Sequence, residues 1–310
     1  MPIAFSDLTS EFDLVEETAA AAGLAEDAVP AVRRGWVQVP DAGHVSAVFW
    51  GTAAPELVFL HEAGKSARAW DAVAIAAGRP AVAIDLPGHG HSDWRPDGRY
   101  EPRKIAPAVA GAIGSFAPEP SLIVGSGLGG LAALALLPRH PELPARLALV
   151  STLPRLPTSV PARIRPDTGS GARFATREQA FRVLASRQPQ RNRAALRREI
   201  LYELIQDQDG AWGWRHHPGN LAGPPASRFD DETLWDELTR LAARVTLIRG
   251  DWAGRLAAAD LAWLRRRAPD AGMMTIPGAG EDIAGTQPTA LATVLDQLIT
   301  AETRRRRSAS

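Results

Sequence analysis

Short, mostly apolar runs punctuate the chain at 57–60, 81–86, 122–124, 147–150 and 245–248. Each has the length and composition of a strand buried on both faces. Between them lie longer stretches with helical spacing of apolar positions, at 66–77, 104–116 and 128–137. The pattern resumes near the end with a helix at 257–267, a strand at 273–276 and a last helix at 287–300. Ahead of the first apolar run, 35–39 and 44–50 read as a strand pair joined by Pro40-Asp41-Ala42-Gly43, a good turn sequence. Residues 8–29 read as a helix with loosely periodic Phe12, Val15, Ala19 and Leu24, stopped by Pro30.

Strands alternating with helices predict a mostly parallel sheet covered on both faces, with an antiparallel hairpin at one edge. The alternation breaks between Pro154 and Ala243. That stretch is helical and arginine-rich, with one tryptophan-containing turn around 210–214. The expected organisation is a helical extension over 1–34, a first core segment over 35–154, an inserted cap over 155–243, a second core segment over 244–302, and a basic, disordered tail over 303–310.

Composition narrows the function classes. The 310 residues carry 35 basic and 35 acidic side chains, so no overall positive field draws in nucleic acid. Cysteine is absent, which removes disulfides, thiol nucleophiles and Cys-ligated zinc. No apolar run reaches the roughly 18 residues that span a bilayer. The first ten residues lack a basic segment followed by an apolar one. A cytoplasmic protein acting on a small molecule is expected, with no metal or cofactor, no nucleic acid and no membrane. The two lysines, Lys65 and Lys104, among so many arginines suggest a high-GC bacterial source.

Four loops carry the chemistry, each following a predicted strand. They are Leu60-His61-Glu62-Ala63-Gly64, Asp85-Leu86-Pro87-Gly88-His89-Gly90-His91-Ser92, Gly125-Ser126-Gly127-Leu128-Gly129-Gly130 and Ile276-Pro277-Gly278-Ala279-Gly280-Glu281. Their sequences and order resemble the α/β-hydrolase superfamily over about 35–300. The first is similar to the His-Gly loop that supplies part of an oxyanion hole. The second is similar to D-x-P-G-x-G-x-S, the third to the nucleophile elbow and the fourth to the final P-G-x-G-H loop. The resemblance implies an α/β-hydrolase fold with a cap, its ligand site at the carboxyl ends of the strands.

The resemblance also implies a serine, a histidine and an acid, and this sequence departs at all three places. In the frame G-x-S-x-G the nucleophile position is Gly127, and Ser126 lies one residue early. The base position holds Glu281. The acid positions hold Ser151 and Ala253-Gly254, with Asp251 nearby but out of register. Serine chemistry needs a hydroxyl, a base and a group orienting that base. On this reading Glu281 acts as acid or base, coupled to Asp251. The backbone N–H groups of Leu128 and of Glu62 or Ala63 form an anion site. Trp94, Trp252, Trp212 and Trp214 offer faces to an aromatic ligand. Arg155, Arg163 and Arg165 are candidates to pair with its carboxylate or phenolate.

The sequence therefore favours a cofactor-free, non-hydrolytic enzyme of bacterial specialised metabolism. The expected chemistry is acid/base-assisted cyclisation, isomerisation or carbon–carbon coupling of an aromatic or polyketide-like molecule. A pseudoenzyme binding a small molecule or partner is the second reading. A hydrolase with a rearranged site, using Ser126, is the third.

Overall fold

A computed structural model describes residues 10–25, 29–143, 146–154, 172–187, 192–217, 231–252 and 256–309. Its strands are β1 Val32–Val39, β2 Gly43–Trp50, β3 Leu57–Leu60, β4 Ala81–Ile84, β5 Leu122–Ser126, β6 Arg146–Val150, β7 Leu204–Gln206, β8 Trp212–Trp214, β9 Val245–Gly250 and β10 Gly272–Ile276. Its helices are α1 Val15–Ala21, α2 Asp71–Ala77, α3 Pro102–Phe116, α4 Gly127–Leu136, α5 Arg177–Arg187, α6 Arg193–Glu203, α7 Asp231–Arg240, α8 Ala258–Arg267, α9 Ile283–Thr286 and α10 Pro288–Ala309.

Eight strands form one sheet in the order β1-β2-β4-β3-β5-β6-β9-β10. From β4 to β10 every pairing is parallel, while β2 runs antiparallel to both β1 and β4. This is the expected α/β-hydrolase architecture, hairpin included. Strand alternation divides the core in two. Val58, Leu60, Val82, Ile84, Ile123, Leu147 and Leu149 pack with α3, α4, α7 and α8. Leu57, Phe59, Ala81, Ala83, Leu122, Val124, Ala148 and Val150 pack with α1, α2, α9 and α10. Being covered on both faces, the central strands show apolar runs instead of alternation in the sequence.

Local chemistry moves several boundaries. The N-terminal helix is shorter than the sequence suggests, because Gly23 turns left-handed (φ +74°) and Leu24 donates its N–H back to Ala19. The stretch from Ala67 to Trp70 is a 3₁₀ turn before α2. Strand β4 stops at Ile84 because Asp85 and Leu86 make other bonds. The backbone of α10 continues as helix to Ala309, where the sequence suggested a disordered tail, since alanine and arginine favour helix and no breaker intervenes. The tryptophan-containing turn is the two-stranded ribbon β7–β8. With α5 and α6 it encloses a small apolar cluster of its own, centred on Phe174, Leu184, Leu196, Ile200 and Trp214.

A buried carboxylate ties the hairpin to the loops at the end of the sheet. Asp85, fully buried, accepts from Arg34 Nη1 at 2.6 Å and from the N–H groups of Ala67 at 2.7 Å and His91 at 3.0 Å. Arg34, its side chain 5% exposed, also holds Glu11 through two bonds of 2.6 and 2.5 Å. Burial alone would raise the Asp85 carboxyl. The Arg34 guanidinium, the Ala67 amide and the charge and amide donors beyond them outweigh burial and hold it below the ordinary aspartate range.

Asp85→Asn removes this charge and leaves Arg34 with Glu11 and the Ser46 hydroxyl. It is expected to cost about 3 kcal/mol at neutral pH, read from urea unfolding. Because the folded carboxyl is depressed, its contribution is full above the ordinary aspartate value and fades as pH falls through the depressed one. The gap between the two proteins should therefore narrow in acid. A gap independent of pH would remove the charge from the explanation.

Candidate active site

The turn from β5 into α4 depends on glycines meeting backbone to backbone. A Cβ on Gly125 would sit 2.5 Å from the Cα of Gly130, so Gly125 must lack a side chain, and one on Gly130 would meet the Gly125 carbonyl oxygen at 3.0 Å. Gly127 takes φ +49° at the sharpest point, the left-handed conformation an elbow requires. Its N–H donates to Thr152 Oγ1 at 2.6 Å, and that hydroxyl donates to the Val150 carbonyl at 2.8 Å. Thr152 is thus the post that fixes the elbow to β6. The sequence reading stopped one residue short of it, at Ser151, which itself has φ +49°.

The loop after β3 closes over the elbow. Leu86 donates its N–H to His61 Nε2 at 2.9 Å, which places the histidine proton on Nδ1, and Nδ1 donates to the Glu62 carbonyl at 2.8 Å. Burial holds His61 below its ordinary range, so the ring is neutral at pH 7. This arrangement brings the Glu62 side chain over Gly127. A Cβ at position 127 would lie 2.7 Å from Glu62 Cβ and 3.7 Å from Glu62 Oε2. Gly127 is a glycine at a site where any side chain collides with Glu62. A linear motif points to Glu62 for its backbone N–H only, and nothing in it reveals that the side chain packs against the elbow with a carboxylate oxygen in van der Waals reach.

Ala63 is half-buried beside Glu62, and Leu128 is buried in the first turn of α4, where helix geometry leaves its N–H without an intrahelical acceptor. Ser126 is half-buried at the end of β5, and strand alternation puts it on the face of Leu122 and Val124. Asp251 and Glu281 are exposed on neighbouring loops after β9 and β10, joined by the bond from Trp252 N–H to the Ala279 carbonyl at 3.1 Å.

Among the tryptophans, Trp252 is 66% exposed. Trp94 donates its indole N–H to the Arg215 carbonyl at 3.0 Å and meets His217 edge-on. Trp214 is buried, and Trp212 lies under the Arg177 guanidinium at 4.0 Å. Arg155, Arg163, Arg165, Ala253 and Gly254 lie outside the described residues. Among the described residues there is no group of three or more His, Cys, Asp or Glu placed to hold a metal ion. No helix among them is long and apolar enough to cross a membrane.

The stretch carrying α5, α6 and the ribbon is fastened to the loops at the carboxyl ends of β3 and β4. Lys65 Nζ pairs with Glu199 at 2.5 Å, Ser66 Oγ donates to Glu203 at 2.7 Å, and His217 N–H donates to the Gly88 carbonyl at 2.8 Å. The Gly127 elbow and Glu62 belong to this same end of the sheet, where open α/β sheets place their ligands.

Comparison with known proteins agrees with this geometry and corrects one expectation. The family model described as the alpha/beta hydrolase family matches residues 57–294. An esterase of Mycobacterium tuberculosis, Rv0045c, is 34% identical over 288 residues, covering 91% of this chain and 93% of the relative. A crystal structure of that esterase superposes with a TM-score of 0.77 at 30% identity, covering 96% of this chain and all of the other. A pimeloyl-acyl-carrier protein methyl ester esterase of Chromobacterium violaceum is 39% identical over 103 residues, covering 33% of this chain and 38% of that protein. These relatives bear hydrolase names. They overturn the expectation of a non-hydrolytic lyase, isomerase, cyclase or coupling enzyme of natural product biosynthesis, and they do not show that the hydrolytic site is lost. That expectation rested on three motif positions. The comparison with the esterase covers nearly the whole chain, and the chain belongs to the alpha/beta hydrolase family.

Proposed function

We propose that this protein is a carboxylic-ester hydrolase with a rearranged site, in which Glu62 acts from above Gly127. The observation that carries this reading is the steric exchange between the two positions. The room that a side chain at the elbow would need is taken by the Glu62 side chain. Likeness to named esterases supports the reaction class.

In the proposed reaction the Glu62 carboxylate takes a proton from a water molecule, whose oxygen attacks the ester carbonyl carbon. The tetrahedral oxyanion lies against the N–H groups of Leu128 and Ala63, at the amino end of α4, where the helix dipole favours negative charge. Collapse breaks the bond to the alcohol oxygen, and the proton on Glu62 passes to that leaving group. Water is consumed, an acid and an alcohol leave, and Glu62 returns to its starting form. In this scheme the stretch carrying α5, α6 and the β7–β8 ribbon serves as a cap that shields the carbonyl from bulk solvent.

Hydrolysis of p-nitrophenyl acetate and butyrate tests the assignment. Glu62→Gln is expected to lower kcat/KM by about 10²–10⁴-fold with an unchanged thermal midpoint. Ser126→Ala is expected to change it less than about threefold, since its direction along β5 carries it away from the elbow. The opposite pattern, activity surviving Glu62→Gln and lost in Ser126→Ala, overturns the role of Glu62 in favour of a displaced serine.

Gly127→Ser supplies the hydroxyl that the elbow pattern expects, but into occupied space. It is expected to destabilise the protein by about 1–3 kcal/mol through overpacking and the positive φ, without a gain in activity. The double substitution Glu62→Gly with Gly127→Ser should recover part of that stability. A fully stable and more active Gly127→Ser single variant would show that Glu62 does not occupy the elbow.

A further inference from the structure

A cavity of about 180 Å³ lies between the core loops and the stretch carrying α5 and α6. Neither Glu62, Gly127 nor Leu128 lines it. Four arginines do, Arg34, Arg68, Arg177 and Arg215, together with a single carboxylate, Glu11. They come from β1, the loop before α2, the start of α5 and the residue after β8, so the fold gathers them from distant parts of the chain.

Two of the four are already neutralised. Arg34 is held by Glu11 and Asp85. Arg68 pairs with Asp71 at 2.6 Å, donates to the Glu11 carbonyl at 2.7 Å, and reaches the Tyr202 hydroxyl at 3.2 Å. These form a fixed wall. The other two differ. No carboxylate among the described residues lies within ion-pair distance of Arg177 or Arg215, and the Nε of each is buried without a hydrogen-bond partner among those residues. Arg177 is braced over the Trp212 ring at 4.0 Å. Burial lowers Arg215 from its ordinary range; the carboxyl groups of Glu203, Asp85 and Glu11 oppose this without reversing it, and Arg34 adds to the lowering. Burial lowers Arg177 as well, and Arg215 adds to that. The two guanidiniums therefore repel each other at the edge of one cavity.

Neighbouring acids offset this only in part, since Asp85 and Glu11 are already held by Arg34. Glu203 sits behind Ser66, and burial pushes its carboxyl up to about 8, so at neutral pH it is mostly uncharged. His91, on the cavity wall, is lowered to about 4 by burial and by Arg34 and Arg215, so it is a neutral polar group there. Desolvated guanidiniums without an anion are costly, and they are well shaped to grip planar or tetrahedral oxygen groups.

We propose that this cavity is a binding site for the carboxylate or phosphate group of a small anionic metabolite, gripped by Arg177 and Arg215 and backed by the Arg34–Arg68 wall. Its volume is below the roughly 300–1,000 Å³ of sites for drug-sized ligands, which limits the ligand to a compact anion. Its lining shares no residue with the proposed ester machinery, and its test does not depend on the reaction proposed there.

The test is calorimetric titration of the full chain with inorganic phosphate and, separately, with succinate, at ionic strength held constant with chloride. Saturable binding of at least one is expected, with a rise in thermal midpoint on adding it. Arg215→Gln and Arg177→Gln should each weaken binding at least about tenfold, while Arg265→Gln on α8 leaves it unchanged. Circular dichroism checks that each variant is folded, and Arg177→Gln alone suffices if Arg215→Gln is not. Preference for phosphate or for succinate identifies the group recognised. Absence of saturable binding of either up to about 10 mM overturns the proposal, as does binding that is equally strong in the folded arginine variants.

Discussion

One buried carboxylate organises the end of the sheet that matters for function. Asp85 has no access to water, so its charge is tolerable only while Arg34 and two backbone amides surround it. Those partners come from the edge hairpin, from the loop after β3 and from the loop after β4. Folding the carboxylate into place therefore aligns three segments at once. Through Arg34 it also draws in Glu11, and through Glu11 the arginine cavity. A charge whose burial is costly thus specifies a geometry that apolar packing alone leaves loose.

The two faces of the core and this polar end have different physics. Below the sheet ends, positions alternate between two apolar clusters, and no single residue is decisive. At the sheet ends, directional bonds fix each loop: Leu86 to His61, His61 to Glu62, Gly127 to Thr152. The stretch with α5 and α6 keeps its own apolar cluster and meets the core at these loops through ion pairs and hydrogen bonds. The two candidate sites both lie where apolar packing gives way to polar contact.

The fold was legible in the sequence because it rests on local signals. Apolar runs such as 57–60 and 122–124 are too short for helices and have the length of strands buried on both faces, and the glycines of 125–130 suit a tight turn into a helix. The loops that hold Glu62 and Gly127 were legible for the same reason. Their relation was not. That a side chain at 62 fills the space above residue 127 is a contact across two strands, and motif spacing carries no information about it. Arg177 and Arg215 were passed over for the same reason, since each is unremarkable in sequence and acquires meaning only beside Arg34 and Arg68. Reading the loop substitutions as departures from hydrolysis treated each position separately, whereas likeness to an esterase over nearly the whole chain weighs them together.

The contact between Glu62 and Gly127 also constrains how such a site can change over generations. A side chain added at 127 while Glu62 remains is crowded, and removal of Glu62 while Gly127 remains leaves a hollow. On packing grounds each single step costs more than changing both positions together, so the two are coupled. A lineage that carries a bare elbow beneath a glutamate is held there by packing as firmly as by chemistry.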